Sequence, residues 1–363
     1  MTDSASHPYI LILAGGSGER FWPLSRSTKP KHLLCLLSGK TLLEETLERL
    51  EPMAPADHIF ILTNQVQAPI IRELLPNVPE ANIIAEPAKR DTAPAVALGV
   101  GLIARKDHQA TMVMLPADHI IQNRETFLDD LRLAVAAARE NHAIVTLGIP
   151  PTWACPGFGY IEEGQPRKVP AEFEHLPTGK LKDVARFREK PNQELAESFL
   201  NSGNYKWNAG MFVWTVPVIL SEFQRQEPRL ADFITQLSNS QDPESMIAEV
   251  FPNLPKTSVD YAVMERASRV LEVQAGFDWD DVGSWTALTK YLPADADSNH
   301  ANTTVIAKDA SHNLVFSEEK LPVALVGVSD LIVVQAKDAI LICSRHDAEA
   351  IKAIIPELPE SVR

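Results

Sequence analysis

The chain has 363 residues, 45% apolar and 23% charged. That is ordinary globular usage, and with 16 Gly, 27 Pro and 3 Cys it excludes a mainly disordered chain, a collagen-like repeat and a disulfide scaffold. Lys plus Arg is 34 and Asp plus Glu is 48, so the net charge of −14 argues against a nucleic-acid or anionic-membrane partner.

Cys35, Cys155 and Cys343 are far apart and form no C-x-x-C pair, so neither a zinc ribbon nor a secreted framework is expected. The opening MTDSASHPYILIL has no basic region, and no apolar stretch approaches the ~18–20 residues of a membrane helix. A soluble, cytoplasmic chain is the expectation.

The first 150 residues alternate between two periodicities. Tyr9–Leu13 is a short apolar run ending in glycines. Thr41–Leu50 follows, with Thr41 and Glu44 in capping-box spacing and Leu43, Leu47 and Leu50 on one stripe. Strands are predicted at Ile59–Leu62, Ile83–Ala85, Thr111–Leu115 and Ala143–Leu147. Helices are predicted at Gln65–Leu75, Thr92–Arg105 and Glu125–Glu140. Repeated β-α units with near-continuous apolar strands predict an α/β fold, a Rossmann-like, mostly parallel sheet covered on both faces. Ligands of such sheets bind beyond the carboxyl ends of the strands. From Pro150 to about Leu292 the pattern is mixed, Pro-rich and aromatic. Pro293–Ser298 reads as a linker, and residues 302–343 as β-rich bursts closed by a helix near His346–Ile355. The predicted domains are a catalytic domain, 1–293, and a small C-terminal all-β module, 299–363.

The segment Ala14-Gly15-Gly16-Ser17-Gly18 follows the first strand. Glycines there let backbone N–H groups approach an anion. It is neither a Rossmann fingerprint, since Phe21 stands where the third glycine would, nor a Walker A loop. Arg20, Arg26, Lys29, Lys31 and His32 follow closely, and so basic a stretch on an acidic protein points to polyphosphate. Asp118 follows an apolar strand, where an acid is well placed for Mg²⁺.

The string AGGSGERFWPLSRSTKPKHLL resembles the signature of the nucleotide-sugar pyrophosphorylases. EPAKRDTAPA, LPADH, FREKP, WNAGMF, SVDYAVME and WDDVGSW follow in the family's order. Together they are similar to the short bacterial mannose-1-phosphate guanylyltransferases, over essentially the whole chain. The resemblance implies a GT-A-like nucleotidyltransferase fold whose C-terminal module is a short left-handed β-helix, although the hexapeptide repeat is weak here. It implies GMP transfer from GTP to mannose 1-phosphate, giving GDP-mannose and pyrophosphate, with Mg²⁺ as cofactor and a homodimer as assembly. Arg20 would grip the leaving pyrophosphate, Lys31 would sit by the α-phosphate, and Lys190 would hold the sugar phosphate. Asp118 and Asp281 would bind the metal, with Asp278 and Asp280 close enough to be confused with Asp281. Ala14, Gly15, Gly16, Ser17, Gly18, Glu86, Thr92 and Ala93 would contact the nucleotide, the last two through free N–H groups and a hydroxyl at a helix start. Gly159, Glu189, Asn208 and Asp260 would surround the sugar. Trp207, Phe212 and Trp214 read as core, and His32 receives no separate role.

Three other readings compete. Asp278-Trp279-Asp280 matches the D-x-D metal motif of glycosyltransferases, but it lies late in the chain. A thymidylyl- or uridylyltransferase acting on glucose 1-phosphate would keep the fold, and a non-catalytic nucleotide-sugar-binding subunit would keep the pocket. With about seventy residues after the catalytic part, the isomerase activity of longer relatives is not expected.

Overall fold

The computed structural model describes residues 7–16 and 18–363. By contacts the chain forms two compact units. Unit 1 takes the chain up to Ala14, Arg49–Pro116 and Ile121–Trp279; unit 2 takes Gly15–Glu48, Ala117–Ile120 and Asp280–Arg363. This partition differs from one cut near residues 293–299. Phe21, Trp22, Leu24 and Leu34 of the basic loop share an apolar core with Trp285, Leu314, Phe316 and Ile332, so the loop belongs with the C-terminal module.

In unit 1, the strands β1 (Tyr9–Leu13), β2 (Ile59–Asn64), β3 (Ile83–Glu86) and β4 (Thr111–Pro116) pair in parallel, in the order β3-β2-β1-β4. They begin as the apolar runs predict. The helices between them are α2 (Ala68–Leu74) and α3 (Thr92–Ala104). Helix α1 (Leu42–Leu50) opens on the predicted capping box: the Thr41 N–H donates to Glu44 Oε2 at 2.8 Å, and the Glu44 N–H to Thr41 Oγ1 at 3.2 Å.

Helix α4 (Arg124–Asn141) leads to β5 (Ile144–Ile149). Beyond it come β6 (Tyr160–Pro166), β7 (Leu181–Arg188), β8 (Tyr205–Thr215) and β9 (Val270–Gln274). They complete one nine-stranded sheet, ordered β3-β2-β1-β4-β8-β5-β9-β7-β6. Strand β8 runs antiparallel between β4 and β5, and β7 runs antiparallel to β6 and β9, so the sheet as a whole is mixed.

The mixed region also holds helices that apolar periodicity left unassigned: α5 (Gln193–Ser202), α6 (Val216–Gln226), α7 (Pro228–Asn239), α8 (Pro243–Val250) and α9 (Val259–Ala262). Helices α3, α6 and α7 supply Val96, Val100, Ile219, Phe223, Phe233 and Leu237 to the core under the sheet, with Leu11 and Trp214.

In unit 2 the strands alternate between two parallel stacks. β10 (His300–Ala301), β12 (Leu314–Ser317) and β14 (Leu331–Gln335) form one; β11 (Val305–Lys308) and β13 (Val323–Val326) form the other. Alternation between two parallel stacks is the winding of a β-helix. Ala301, Val315 and Leu325 fill one core of the coil. Asn299 and Asn313 form a ladder beside it: Asn299 Oδ1 accepts from Asn313 Nδ2 at 2.8 Å, and Asn313 Oδ1 from the Leu331 N–H at 3.0 Å. Strand β15 (Ile340–Ser344) pairs antiparallel with β14 and covers its edge. The predicted closing helix is a 3-10 turn, Arg345–Ala350, running into one α turn, α10 (Ile351–Ile354).

Candidate active site

Unit 2 contains a cleft of about 360 Å³ lined by Gly18, Arg20, Lys31, Asp118, Asp281 and Lys352, among others. Its centre is Lys31, only 7% exposed. The ammonium pairs with Asp118 Oδ2 at 2.9 Å and also donates to the main-chain carbonyl of Asp281. Gly18 makes this possible. Its φ is +61°, and a Cβ there would stand 2.4 Å from Lys31 Cβ and 2.7 Å from Lys31 N. Arg20 donates to the Gly283 carbonyl at 3.3 Å and pairs through Nε with Glu349 at 2.7 Å.

The electrostatics follow from this packing. Burial raises the Asp118 carboxyl, but Lys31, with a smaller pull from His119, more than offsets it and holds the group below the usual carboxylate range. Burial pushes Asp281 up to about 6; Lys31 opposes the shift, and the Asp280 and Asp118 carboxylates reinforce it. Burial brings His32 down to about 4, so the imidazole is neutral at pH 7. The basic loop therefore delivers fewer cations to the cleft than its composition suggests. Arg26 pairs with Asp338 and Lys29 with Glu318, each at 2.8 Å, which fastens the loop to the β module.

The neighbouring acids separate clearly. Asp278 accepts from the backbone N–H groups of Gln122 and Asn123 at 2.8 and 2.7 Å. Asp280 accepts from the Val282 N–H at 2.8 Å and pairs with Lys290 at 2.6 Å. Both arms of the D-x-D string are thus structural, and Asp281 alone of the three lines the cleft. The donor set fits Mg²⁺: two carboxylates in one polar cleft, with phosphate oxygens and water to complete the shell.

Of the loop glycines, Gly15 and Gly16 are exposed, and a Cβ on either would meet nothing within 4 Å. Their lack of a side chain serves no internal packing and leaves open space. Ser17 lies outside the described residues. Ala14 is in unit 1, 1% exposed, where its carbonyl accepts from Thr63 Oγ1 at 2.9 Å.

Unit 1 brings the predicted sugar residues together. The Asn208 N–H donates to the Gly159 carbonyl at 2.8 Å, and Asn208 Nδ2 donates to Asp260 Oδ1 at 3.2 Å. Asn208 Oδ1 accepts from the Gly210 N–H and the Thr146 hydroxyl, which fixes the amide's orientation. A Cβ on Gly159 would stand 2.5 Å from Glu189 Oε2. Glu189 pairs with Lys190 at 3.1 Å; its side chain is 8% exposed and that of Lys190 59%. Burial, then the Glu189 carboxylate, pushes Asp260 up to about 7, against the opposing pull of Lys190 and Asn208. Trp207, Phe212 and Trp214 are buried, as expected for core.

At the start of α3 the expectation fails. The Thr92 N–H donates to its own N-cap, Asp91, at 2.8 Å, and the Ala93 N–H donates to the Thr257 carbonyl at 3.0 Å. Thr92 Oγ1 accepts from the Val259 N–H at 2.9 Å. These groups hold α9 against α3 rather than standing open. Glu86 differs: burial alone pushes its carboxyl up to about 7. Sequence reasoning missed Glu265, which accepts from the Glu189 N–H at 3.2 Å, and Lys352 and Glu349 of the C-terminal module. Glu265 lies inside the recognised string SVDYAVME; nothing local marks the other two.

Comparison with known proteins places the chain in a family. Residues 9–298 match the Nucleotidyl transferase family, and residues 303–358 match the MannoseP isomerase/GMP-like beta-helix domain. The chain is 37% identical to the mannose-1-phosphate guanylyltransferase of Klebsiella pneumoniae, over 97% of this chain and 74% of that protein. A Thermus thermophilus structure named mannose-1-phosphate geranyltransferase is 34% identical and covers 96% of this chain and 98% of its own, with a TM-score of 0.85. A Helicobacter pylori structure named mannose-6-phosphate isomerase covers 75% of this chain and 99% of its own at 24% identity and a TM-score of 0.57, a likeness of fold alone. The chain belongs to the nucleotidyl transferase family, in the branch of the mannose-1-phosphate guanylyltransferases.

Proposed function

We propose that this enzyme transfers GMP from GTP to α-D-mannose 1-phosphate, giving GDP-mannose and pyrophosphate. The observation that carries the reading is the unit 2 cleft, where Lys31, Arg20, Asp118 and Asp281 converge. A phosphate oxygen of the sugar phosphate forms a bond to the α-phosphorus of GTP. The bond from that phosphorus to the bridging oxygen breaks, and pyrophosphate leaves with its electron pair. The nucleophile is already an anion at neutral pH, so no general base is needed. The barrier is the meeting of two polyanions, which calls for positioning and cations.

Lys31 is the residue for the α-phosphate, held by Asp118 and the Asp281 carbonyl so that it need not reorganise during the reaction. Arg20 takes the leaving pyrophosphate. Asp118 and Asp281 would hold Mg²⁺, whose charge would neutralise phosphate oxygens. Gly15 and Gly16 leave room for the nucleotide backbone to pass close, and Glu86 suits the N–H edge of guanine. Glu189, Asn208 and Asp260 would hydrogen-bond the mannose hydroxyls, Gly159 would admit the ring, and Lys190 would pair with the sugar's phosphate. We extend the reading to a homodimer: Ile306, Val326, Ile340 and Ile342 of the C-terminal module are each more than 60% exposed, and sedimentation would test it.

Pyrophosphate release should be measured with Mg²⁺ across four nucleoside triphosphates and a panel of sugar 1-phosphates. Release with GTP and mannose 1-phosphate, abolished by EDTA, is the expected result. Equal release with dTTP or UTP and glucose 1-phosphate would overturn the substrate assignment. No release with any pair would overturn the reaction.

A further inference from the structure

The cleft carries one cation that the mechanism above does not use. Lys352 lines it together with Arg20 and Lys31, but comes from α10 near the end of the chain. Its position is fixed by its neighbours. Ile351 and Ala348 are 4% and 5% exposed and lie in one core with Phe21 and Trp22. The Trp22 indole N–H donates to the Val362 carbonyl at 2.8 Å, a further tie between the loop and the chain's last residues.

The ion pairs in the cleft are unequal. Lys31, itself buried, is paired with Asp118, whose side chain is 31% exposed. Arg20 is paired with Glu349, whose side chain is 65% exposed. Lys352 is exposed and makes no ion pair among the described residues. The contact is an ion pair only, since Arg20 Nε has no hydrogen-bond partner, so a phosphate oxygen that accepts from that N–H can replace an exposed, easily rehydrated carboxylate. An ammonium on a flexible stem then suits a terminal phosphate as a point charge.

We propose that Lys352 is a phosphate-binding residue of this cleft, and that Glu349 holds the place on Arg20 that a phosphate oxygen takes when pyrophosphate or the triphosphate binds. The proposal rests on reading the cleft as the pyrophosphate-releasing site. It makes the C-terminal module a working part of that site.

The test is calorimetric titration of the full-length protein with inorganic pyrophosphate. The variants are Lys352→Ala, Lys352→Arg and Glu349→Gln, with Lys308→Ala as a charge control on an exposed strand away from the cleft. Lys352→Ala should raise Kd about tenfold, the effect of one charged hydrogen bond. Lys352→Arg should stay near wild type, Glu349→Gln should tighten binding several-fold, and Lys308→Ala should change nothing. In turnover, Lys352→Ala should raise KM for the nucleotide and leave KM for the sugar phosphate unchanged. An unchanged Kd in Lys352→Ala, an equal loss in Lys308→Ala, weaker binding in Glu349→Gln, or a wild type that does not bind pyrophosphate would each overturn the inference. A wild type that binds pyrophosphate but releases none from any substrate pair would sink the proposed reaction instead, with the titration still deciding on Lys352.

Discussion

Gly18→Ala is the substitution for which the structure gives the most definite consequence. The residue sits at φ +61°, in the left-handed region. A non-glycine residue there costs of order 1–3 kcal/mol. The larger effect is steric. The new Cβ would fall 2.4 Å from Lys31 Cβ and 2.7 Å from Lys31 N. Neither atom can swing away, because both are fixed to the backbone. To reach an ordinary contact of 3.4 Å, the two segments must part by about 1 Å. Lys31 is then displaced from Asp118 and from the Asp281 carbonyl together. A misplacement of that size typically costs ~10² in rate. The expected result is a kcat for pyrophosphate release lowered about 100-fold, with a modest loss of thermal stability and an unchanged circular dichroism spectrum. Gly15→Ala is the companion, since its Cβ would meet no protein atom within 4 Å. It should leave stability alone and weaken nucleotide binding. A Gly18→Ala enzyme with wild-type kcat would refute the claim that this glycine exists to seat Lys31.

Lys31→Met should lower kcat by ~10²–10³, since it removes a preorganised cation at the reacting phosphate; initial rates at saturating substrate check this. Asn208→Asp places a carboxylate 3.2 Å from Asp260 Oδ1 in place of an amide donor, which pushes Asp260 further up, so KM for mannose 1-phosphate in initial-rate assays should rise. Asp280→Asn should mainly lower thermal stability, because it loses the Lys290 pair, whereas Asp281→Asn should mainly lower activity; the reverse pattern would show that the two roles are exchanged. Glu272 is fully buried and neither carboxylate oxygen has a hydrogen-bond partner; burial, with the Glu163 carboxylate, pushes it up to about 7. Between its unfolded value near 4.5 and about 7 the folded chain binds the extra proton, so stability should fall as pH rises through that window. Glu272→Gln should remove the Glu272 share of that slope, making it shallower, and add up to about 3 kcal/mol at pH 8; denaturant midpoints from pH 4 to 8 that stay parallel to wild type would refute it.

Local signals were legible where one segment carried them complete. Thr41 and Glu44 marked a helix start at capping-box spacing, and the apolar runs located β1 to β5. In the middle of the chain prolines read as loop markers. Yet Pro217, Pro228 and Pro243 sit in the first turns of α6, α7 and α8, where a missing N–H costs nothing. Those helices were hidden by a residue that starts a helix as readily as it breaks one. The sugar cluster was recognisable only through family strings, since Gly159, Asn208 and Asp260 meet through a β8 strand whose antiparallel place no periodicity shows. The free N–H groups expected at Thr92 failed for a related reason: Thr257 and Val259, distant in sequence, satisfy that helix start. Lys352 was invisible because a lone lysine near a chain end has no local distinction from a solvated one.

The charge of the basic loop is better understood as a set of exchangeable pairs than as a positive patch. Five basic residues suggest an open attraction for phosphate. Instead Arg26 and Lys29 bind Asp338 and Glu318, His32 is neutral, and Lys31 and Arg20 already have carboxylate partners. An incoming polyanion must therefore compete with the protein's own acids, which lowers net affinity. The return is geometric. A lysine left without a partner in a buried cleft would lose its proton or turn outward to water. Paired with Asp118, Lys31 is held in place, so little reorganisation remains when negative charge grows on the phosphates. The same arrangement reconciles a chain of net charge −14 with substrates that are themselves anions: cations are placed where phosphates go, whatever the sign of the whole chain.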